Sequence, residues 1–334
     1  MKKIISVLAA AALAVSCLCG CNAAKKTGDN NKIKIVTTIF PEYDWVLNVL
    51  GEKSSTADVT MLLDNGIDLH SFQPTATDIM KISECDLFIY VGGESDEWVG
   101  DVLKEATNKN MVAINLLEVL GDKVVEEEIV EGMQGEDEDE HEDDHDEHEH
   151  HHDGEIEYDE HVWLSLRNAS VLVESIADAL AKIDPASGET YKKNADDYIK
   201  QLKALDGEYK DATEKASQKT ILFGDRFPFR YLADDYKLKY YAAFVGCSAE
   251  SEASFETITF LAEKVNELSL PAVLTIEGKD HSIAKTIVAS TKSKDQKILT
   301  MDSMQSTTST DVKNGASYIA IMKANLEVLK EALG

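Results

Sequence analysis

Cysteine is nearly absent from this 334-residue sequence once its first 21 residues are set aside. Three of the five, Cys17, Cys19 and Cys21, crowd into that start, leaving only Cys85 and Cys247. Two isolated thiols set no disulfide framework, and both read as small apolar residues of a core. An apolar run long enough to cross a bilayer is missing as well. The run at 4–18 falls short of the roughly 20 residues that a membrane-spanning helix needs. Clustered lysine and arginine are a third absence. The formal charge is -29, and 126–160 holds 20 Asp or Glu with no Lys or Arg. The rest of the chain is mildly acidic, which argues against a nucleic-acid partner, because phosphate binding needs grouped cations. No short internal repeat is visible.

What is present begins with compartment. Lys2 and Lys3 precede the apolar run at 4–18, an arrangement that reads as a secretion signal. The run ends in Leu18-Cys19-Gly20-Cys21, which resembles a bacterial lipobox with Cys21 as the acylated residue; Ala14-Val15-Ser16-Cys17 is a weaker competitor. The expected layout is a signal peptide at 1–20, a tether at 21–31, and a mature protein held on the outer face of the membrane by its lipid. About 310 residues remain, enough for two domains, and 43% apolar content fits a folded protein.

From residue 32 short apolar runs alternate with amphipathic stretches. Strands are expected at 33–39, 57–62, 86–91 and 111–114, with helices at 43–50, 77–83 and 96–107. The segment 126–160 breaks the pattern. Its density of like charge cannot bury a core, and it reads as a disordered surface loop, 126–158 within an N-terminal lobe of 32–185. A helix at 168–182 follows. The stretch 187–216 contains only Gly188 and Gly207 as breakers and carries Tyr191, Tyr198, Leu202, Leu205 and Tyr209 at near-helical spacing. It reads as a long helix, 186–217, joining the lobes. A second lobe, 218–334, repeats the alternation with strands at 220–223, 239–244, 272–276 and 297–301 and a closing helix at 313–333. The expected fold class is α/β, two lobes with mostly parallel sheets on a long linking helix.

Two histidines stand out. His70 lies in Asp68-Leu69-His70-Ser71-Phe72-Gln73-Pro74-Thr75, just after a strand, where parallel sheets gather their ligands. His161 lies in Asp159-Glu160-His161-Val162-Trp163-Leu164, where neighbouring carboxylates suit an imidazole that must be oriented. Taken singly, each is more often a structural or solvated histidine than a ligand.

Taken together they resemble a family. Thr37-Thr38-Ile39-Phe40-Pro41, the His70 segment, Gly92-Gly93-Glu94-Ser95-Asp96-Glu97-Trp98, the His161 segment after its His-rich insertion, and Met301-Asp302-Ser303-Met304 follow one another across the mature chain. In that order they resemble the zinc/manganese solute-binding lipoproteins of ABC transporters, the ZnuA/TroA-like group. The resemblance implies two α/β lobes on one rigid helix, a metal in the cleft, a permease and an ATPase as partners, and a monomer. It implies His70, His161 and Asp302 as ligands. Members usually place His or Glu after the first strand of the second lobe, where this chain has Phe223-Gly224-Asp225-Arg226-Phe227 and the expected position falls on Gly224. Asp225 is the first substitute, although it could equally pair with Arg226 or Arg230. Glu277 follows a strand and His281 opens a helix; both are further candidates, the latter explicable as a polar helix start.

Two imidazoles with one or two carboxylates suit Zn(II) in four-coordination, with Mn(II) as second choice. The insertion adds His141, His145, His148, His150, His151 and His152, which read as weak accessory sites that collect metal, or else as a solvated spacer. His141-Glu142-Asp143-Asp144-His145 matches the metalloprotease pattern, but without an apolar face to dock the helix that this chemistry needs. The expectation is therefore a binding protein and not an enzyme. A surface adhesin on the same fold is the rival from another class, and a hydrolase with an open coordination position a second.

Overall fold

The computed structural model describes residues 32–135, 157–248, 252–278 and 280–334. Cys21 and the six histidines of the insertion lie outside them. Residues 33–334 belong to one unit, in which the first half runs β1 (Ile33–Thr37), α1 (Phe40–Leu50), β2 (Ala57–Met61), α2 (Ala76–Glu84), β3 (Leu87–Tyr90), α3 (Val99–Glu105), β4 (Val112–Asn115), α4 (Leu116–Leu120) and α5 (Leu166–Ile183). Its four strands are all parallel, in the order β2-β1-β3-β4. Strand-to-strand crossovers through helices cover both faces of such a sheet, which is why Ile35, Val36 and the run Leu87, Phe88, Ile89 are buried without alternation.

The second half opens with α6 (Gly188–Lys215) and continues β5 (Thr220–Phe227), α7 (Arg230–Tyr236), β6 (Lys239–Val245), α8 (Phe255–Leu268), β7 (Ala272–Ile276), α9 (Ser282–Ser290), β8 (Lys297–Met301), α10 (Ser309–Lys313) and α11 (Tyr318–Leu333). Its sheet repeats the same order, β6-β5-β7-β8, again parallel throughout. The carboxyl edge of each sheet is where its loops diverge, so each lobe offers one ligand-gathering edge.

The 28 residues of α6 extend for about 42 Å. Tyr191, Ala195, Tyr198, Leu202, Leu205 and Tyr209 recur every three or four residues and make one buried stripe. Polar tips fix that stripe to both lobes: Tyr198 donates to Asp44 Oδ2 at 3.0 Å in the first, and Tyr209 to the Met322 carbonyl at 2.6 Å in the second. The lobes also meet directly. Trp163 Nε1 donates to the Ser303 carbonyl at 2.9 Å, and the Tyr318 hydroxyl donates to the Trp163 carbonyl at 2.6 Å. One apolar cluster runs through both.

Several elements differ from the sequence expectation. Helix α1 begins at Phe40, three residues early, because Pro41 sits in the first turn, where its missing N–H costs nothing. The Glu42 carboxylate accepts the Thr38 amide at 2.8 Å just ahead of that turn. The expected helix at 96–107 is a 3₁₀ turn (Glu94–Asp96) followed by the shorter α3. The expected closing helix at 313–333 begins only at Tyr318 as α11; the short α10 precedes it, and Gly315 between them holds φ +102°. At the acidic segment the described flanks are paired with the fold. Glu127 N donates to the Glu157 carbonyl at 2.9 Å, Asp159 N to the Val125 carbonyl at 3.0 Å, and Gln134 N to the Ala243 carbonyl in β6 at 2.9 Å. Backbone pairing absorbs those acidic residues where charge density alone predicts a loop.

Candidate metal centre

His70 and His161 are placed by the same local device. In Asp68-Leu69-His70 the Asp68 Oδ1 accepts the His70 amide at 3.1 Å, and in Asp159-Glu160-His161 the Asp159 Oδ1 accepts the His161 amide at 2.8 Å. An aspartate that binds the amide two residues on makes its own turn, so each histidine is presented on a short rigid corner. His70 sits inside a 3₁₀ turn, Leu69–Ser71, and His161 caps another, Val162–Leu164. The two corners face one another, and the Nε2 atoms stand 3.3 Å apart. Two nitrogens bound to one tetrahedral zinc lie about 3.3 Å apart, given Zn–N lengths near 2.05 Å.

The other ring nitrogens have acceptors. His70 Nδ1 lies 2.8 Å from Ser95 Oγ and 3.5 Å from Glu160 Oε2, an oxygen that is buried and accepts no hydrogen bond. His161 Nδ1 lies 3.1 Å from Asp159 Oδ1. Acceptors at Nδ1 favour the tautomer that leaves the Nε2 lone pair free to ligate. Burial, and then the neighbouring His161, push His70 down to about 3, so it is neutral and competent as a donor at pH 7.

The third group here is one that the sequence reading treated as core. Cys247 joins His70 and His161 in a set whose donor atoms all lie within 4.8 Å of one another. Both described thiols are free, but they differ: Cys85 is buried with Sγ 3.4 Å from Met111 Sδ, whereas Cys247 is half-buried in the cleft. The sequence held a signal for it, since Gly246-Cys247-Ser248 follows β6 as the His70 segment follows β2. Gly246 makes the approach possible. A Cβ there would sit 2.9 Å from His161 Cε1 and 3.0 Å from the Phe227 carbonyl, closer than real side chains tolerate.

Asp225, Glu277 and His281 line a different cavity with Asp68 and Arg226. Gly224 and Asp225 form a bulge, the two of them facing one residue of β6. No side chain fits at Gly224, whose Cβ would lie 2.6 Å from Ala284 Cα. Asp225 Oδ1 accepts the Arg226 amide at 2.9 Å and Oδ2 the Ile276 amide at 3.3 Å. Glu277 takes the Ser303 amide and hydroxyl, each at 2.7 Å, and the Gln305 amide at 3.1 Å, so it is committed to shaping the loop after β8. Asp302 Oδ1 accepts the Met304 amide at 2.7 Å, a third corner of the same kind; burial and the Glu277 charge raise its carboxyl to about 6. That corner delivers Gln305 toward the imidazoles, its side-chain amide 3.4 Å from His161 Nε2. Among the described residues no carboxylate joins the two imidazoles and the thiol within the same 4.8 Å span.

Arg226 spans the divide. Nη2 donates to Asp68 Oδ2 at 2.7 Å and Nη1 to the Ser248 carbonyl at 3.1 Å. Burial works to raise Asp68, yet the Arg226 guanidinium and His70 hold it below the usual carboxylate range. Outside the imidazoles opens a cavity of about 420 Å³ walled by Glu94, Glu97, Glu127, Glu157 and Glu160.

Residues 35–332 match the family described as zinc-uptake complex component A, periplasmic (ZnuA). The zinc-binding lipoprotein AdcA of Streptococcus pneumoniae is 33% identical over 331 residues, 99% of this chain and 61% of its own. The zinc-binding protein AdcA of Streptococcus pyogenes is 31% identical over 92% of this chain and 57% of its own. This chain thus spans about three-fifths of those streptococcal relatives. The high-affinity zinc uptake system protein ZnuA of Bacillus subtilis is 30% identical over 98% of this chain and 96% of its own. The crystal structure of the Zn(II)-bound ZnuA-like domain of S. pneumoniae AdcA superposes with a TM-score of 0.68 at 30% identity, covering 90% of this chain and 99% of that one.

Proposed function

The chain belongs to the periplasmic zinc-uptake complex component A family, and on that footing we propose that it captures Zn(II) outside the cytoplasm and delivers it to an ABC importer. The 3.3 Å separation of the His70 and His161 Nε2 atoms carries this reading, because it is the edge length of a tetrahedral zinc site. His70 and His161 are the ligands from the first lobe. Asp68, Asp159, Ser95 and Glu160 orient them, and the loop after β8, shaped by Asp302 and Glu277, brings Gln305 toward them from the second lobe. The protein binds and does not catalyse, with the permease and its ATPase as the receiving partners. Cys21 carries the lipid that holds the monomer at the outer face of the membrane, and the histidines from His141 to His152 collect metal at weak accessory sites.

Chelator-competition titration of the mature protein tests the site. One tight zinc is expected per chain. His70→Ala and His161→Ala should each weaken it by at least about 100-fold, the upper end of what loss of an outer partner costs. A double variant that still bound as the wild type does would sink the proposal.

A further inference from the structure

Given His70 and His161 as ligands, as proposed above, we infer that Cys247 completes their set as a thiolate, so that the cargo site is built from two imidazoles and one sulfur. Three observations converge on Cys247. Its sulfur shares the 4.8 Å cluster with both imidazoles, while the usual second-lobe position is a bulge in which no side chain fits at Gly224. Its backbone is held on either side. Glu127 Oε1 accepts the Cys247 amide at 3.2 Å, and Arg226 holds the Ser248 carbonyl while its other nitrogen grips Asp68, two residues before His70. Gly246 lets this loop lie directly against the His161 ring. A tetrahedral S–Zn–N edge is about 3.6 Å, which falls within the 4.8 Å span of the cluster. On binding, the thiol releases its proton to water as the S–Zn bond forms.

A sulfur donor decides the cargo as well as holding it. Thiolate is a soft ligand that zinc accepts readily and manganese, which prefers oxygen, does not. Arg226, occupying the mouth of β5, is a positioning residue: it ties the corner that bears His70 to the loop that bears Cys247 without donating to the metal itself, since guanidinium has no lone pair.

The test is X-ray absorption at the zinc edge on the mature full chain loaded with one equivalent of zinc. Wild type should show one sulfur at about 2.3 Å together with imidazole nitrogens near 2.0 Å. Cys247→Ser should lose the sulfur, keep the imidazole signal, and bind zinc at least about 100-fold more weakly with much less change toward manganese. Cys85→Ser should keep the sulfur. A wild-type shell of imidazole plus oxygen alone overturns the assignment of Cys247 and leaves the two histidines standing. A shell without imidazole overturns the reading of His70 and His161, and the thiolate assignment with it. The wild-type spectrum decides both even if a variant fails to fold.

Discussion

Asp159 serves His161 twice: one carboxylate oxygen accepts both its amide and its Nδ1 proton. Asp159→Asn keeps the shape but replaces a charged acceptor with a neutral one, so zinc should bind about 10- to 100-fold more weakly with little change in melting temperature. Chelator competition beside thermal unfolding checks this, and unchanged affinity would show that the charge is idle. At this scale the sequence was informative wherever the determining contact is local. The Asp-x-His spacing at 68–70 and 159–161 can be read directly because the aspartate acts on the amide two residues away. Cys247 could not be ranked that way. Its partners lie 177 and 86 positions upstream, and a lone cysteine is more often core than ligand. Arg226 was likewise opaque, since Asp68 is 158 positions distant.

Among the elements, α6 carries an unforced weakness. Gly207 lies in its interior, exposed, with nothing within 4 Å of where a Cβ would stand. Gly207→Ala should therefore stabilise the protein by about 1 kcal/mol through reduced freedom of the unfolded chain, a rise of a few degrees in melting temperature by calorimetry. A fall would mean that the helix needs the glycine for a motion or a contact. The eight strands and the helices α5 and α6 could be read from periodicity alone, because each is either a continuous buried run or a sustained stripe. Helices α4, α7, α8, α9 and α10 were not located. All but the 14-residue α8 have five to nine residues, too few turns for a stripe to emerge, and tertiary packing decides them. The bulge at Gly224 and Asp225 left no trace either, although it is the feature that turns Arg226 toward the cleft.

At the scale of the whole molecule, two buried acids, Glu42 and Asp96, contribute to the response to pH at its upper end. Burial, and then the charge of Asp96, raise Glu42 from 4.5 to about 8; burial, with Glu160 adding to it, raises Asp96 from 3.8 to about 7. These two acids keep protons that the unfolded chain gives up, so their contribution to stability falls as pH rises toward about 8, whereas the neutral His70 works in the opposite direction up to about 6.5. Urea midpoints for the metal-free protein should therefore decline between about 6.5 and 8, and Glu42→Gln should flatten the decline. An unchanged slope in the variant would remove Glu42 as its source. The standing pair of imidazoles has a further consequence, one of time. Donors already 3.3 Å apart need little rearrangement when an ion arrives, so binding energy is not spent on ordering them and tight retention follows. At nanomolar affinity and an association rate of about 10⁷ M⁻¹s⁻¹, a captured ion would dwell for roughly 100 s before leaving unaided. In the proposed role, a carrier that slow to let go could not feed an importer by spontaneous escape. Discharge has to be imposed by whatever engages the protein, and the ties from Arg226 to Asp68 and from Trp163 to Ser303 are the places where such leverage would be felt.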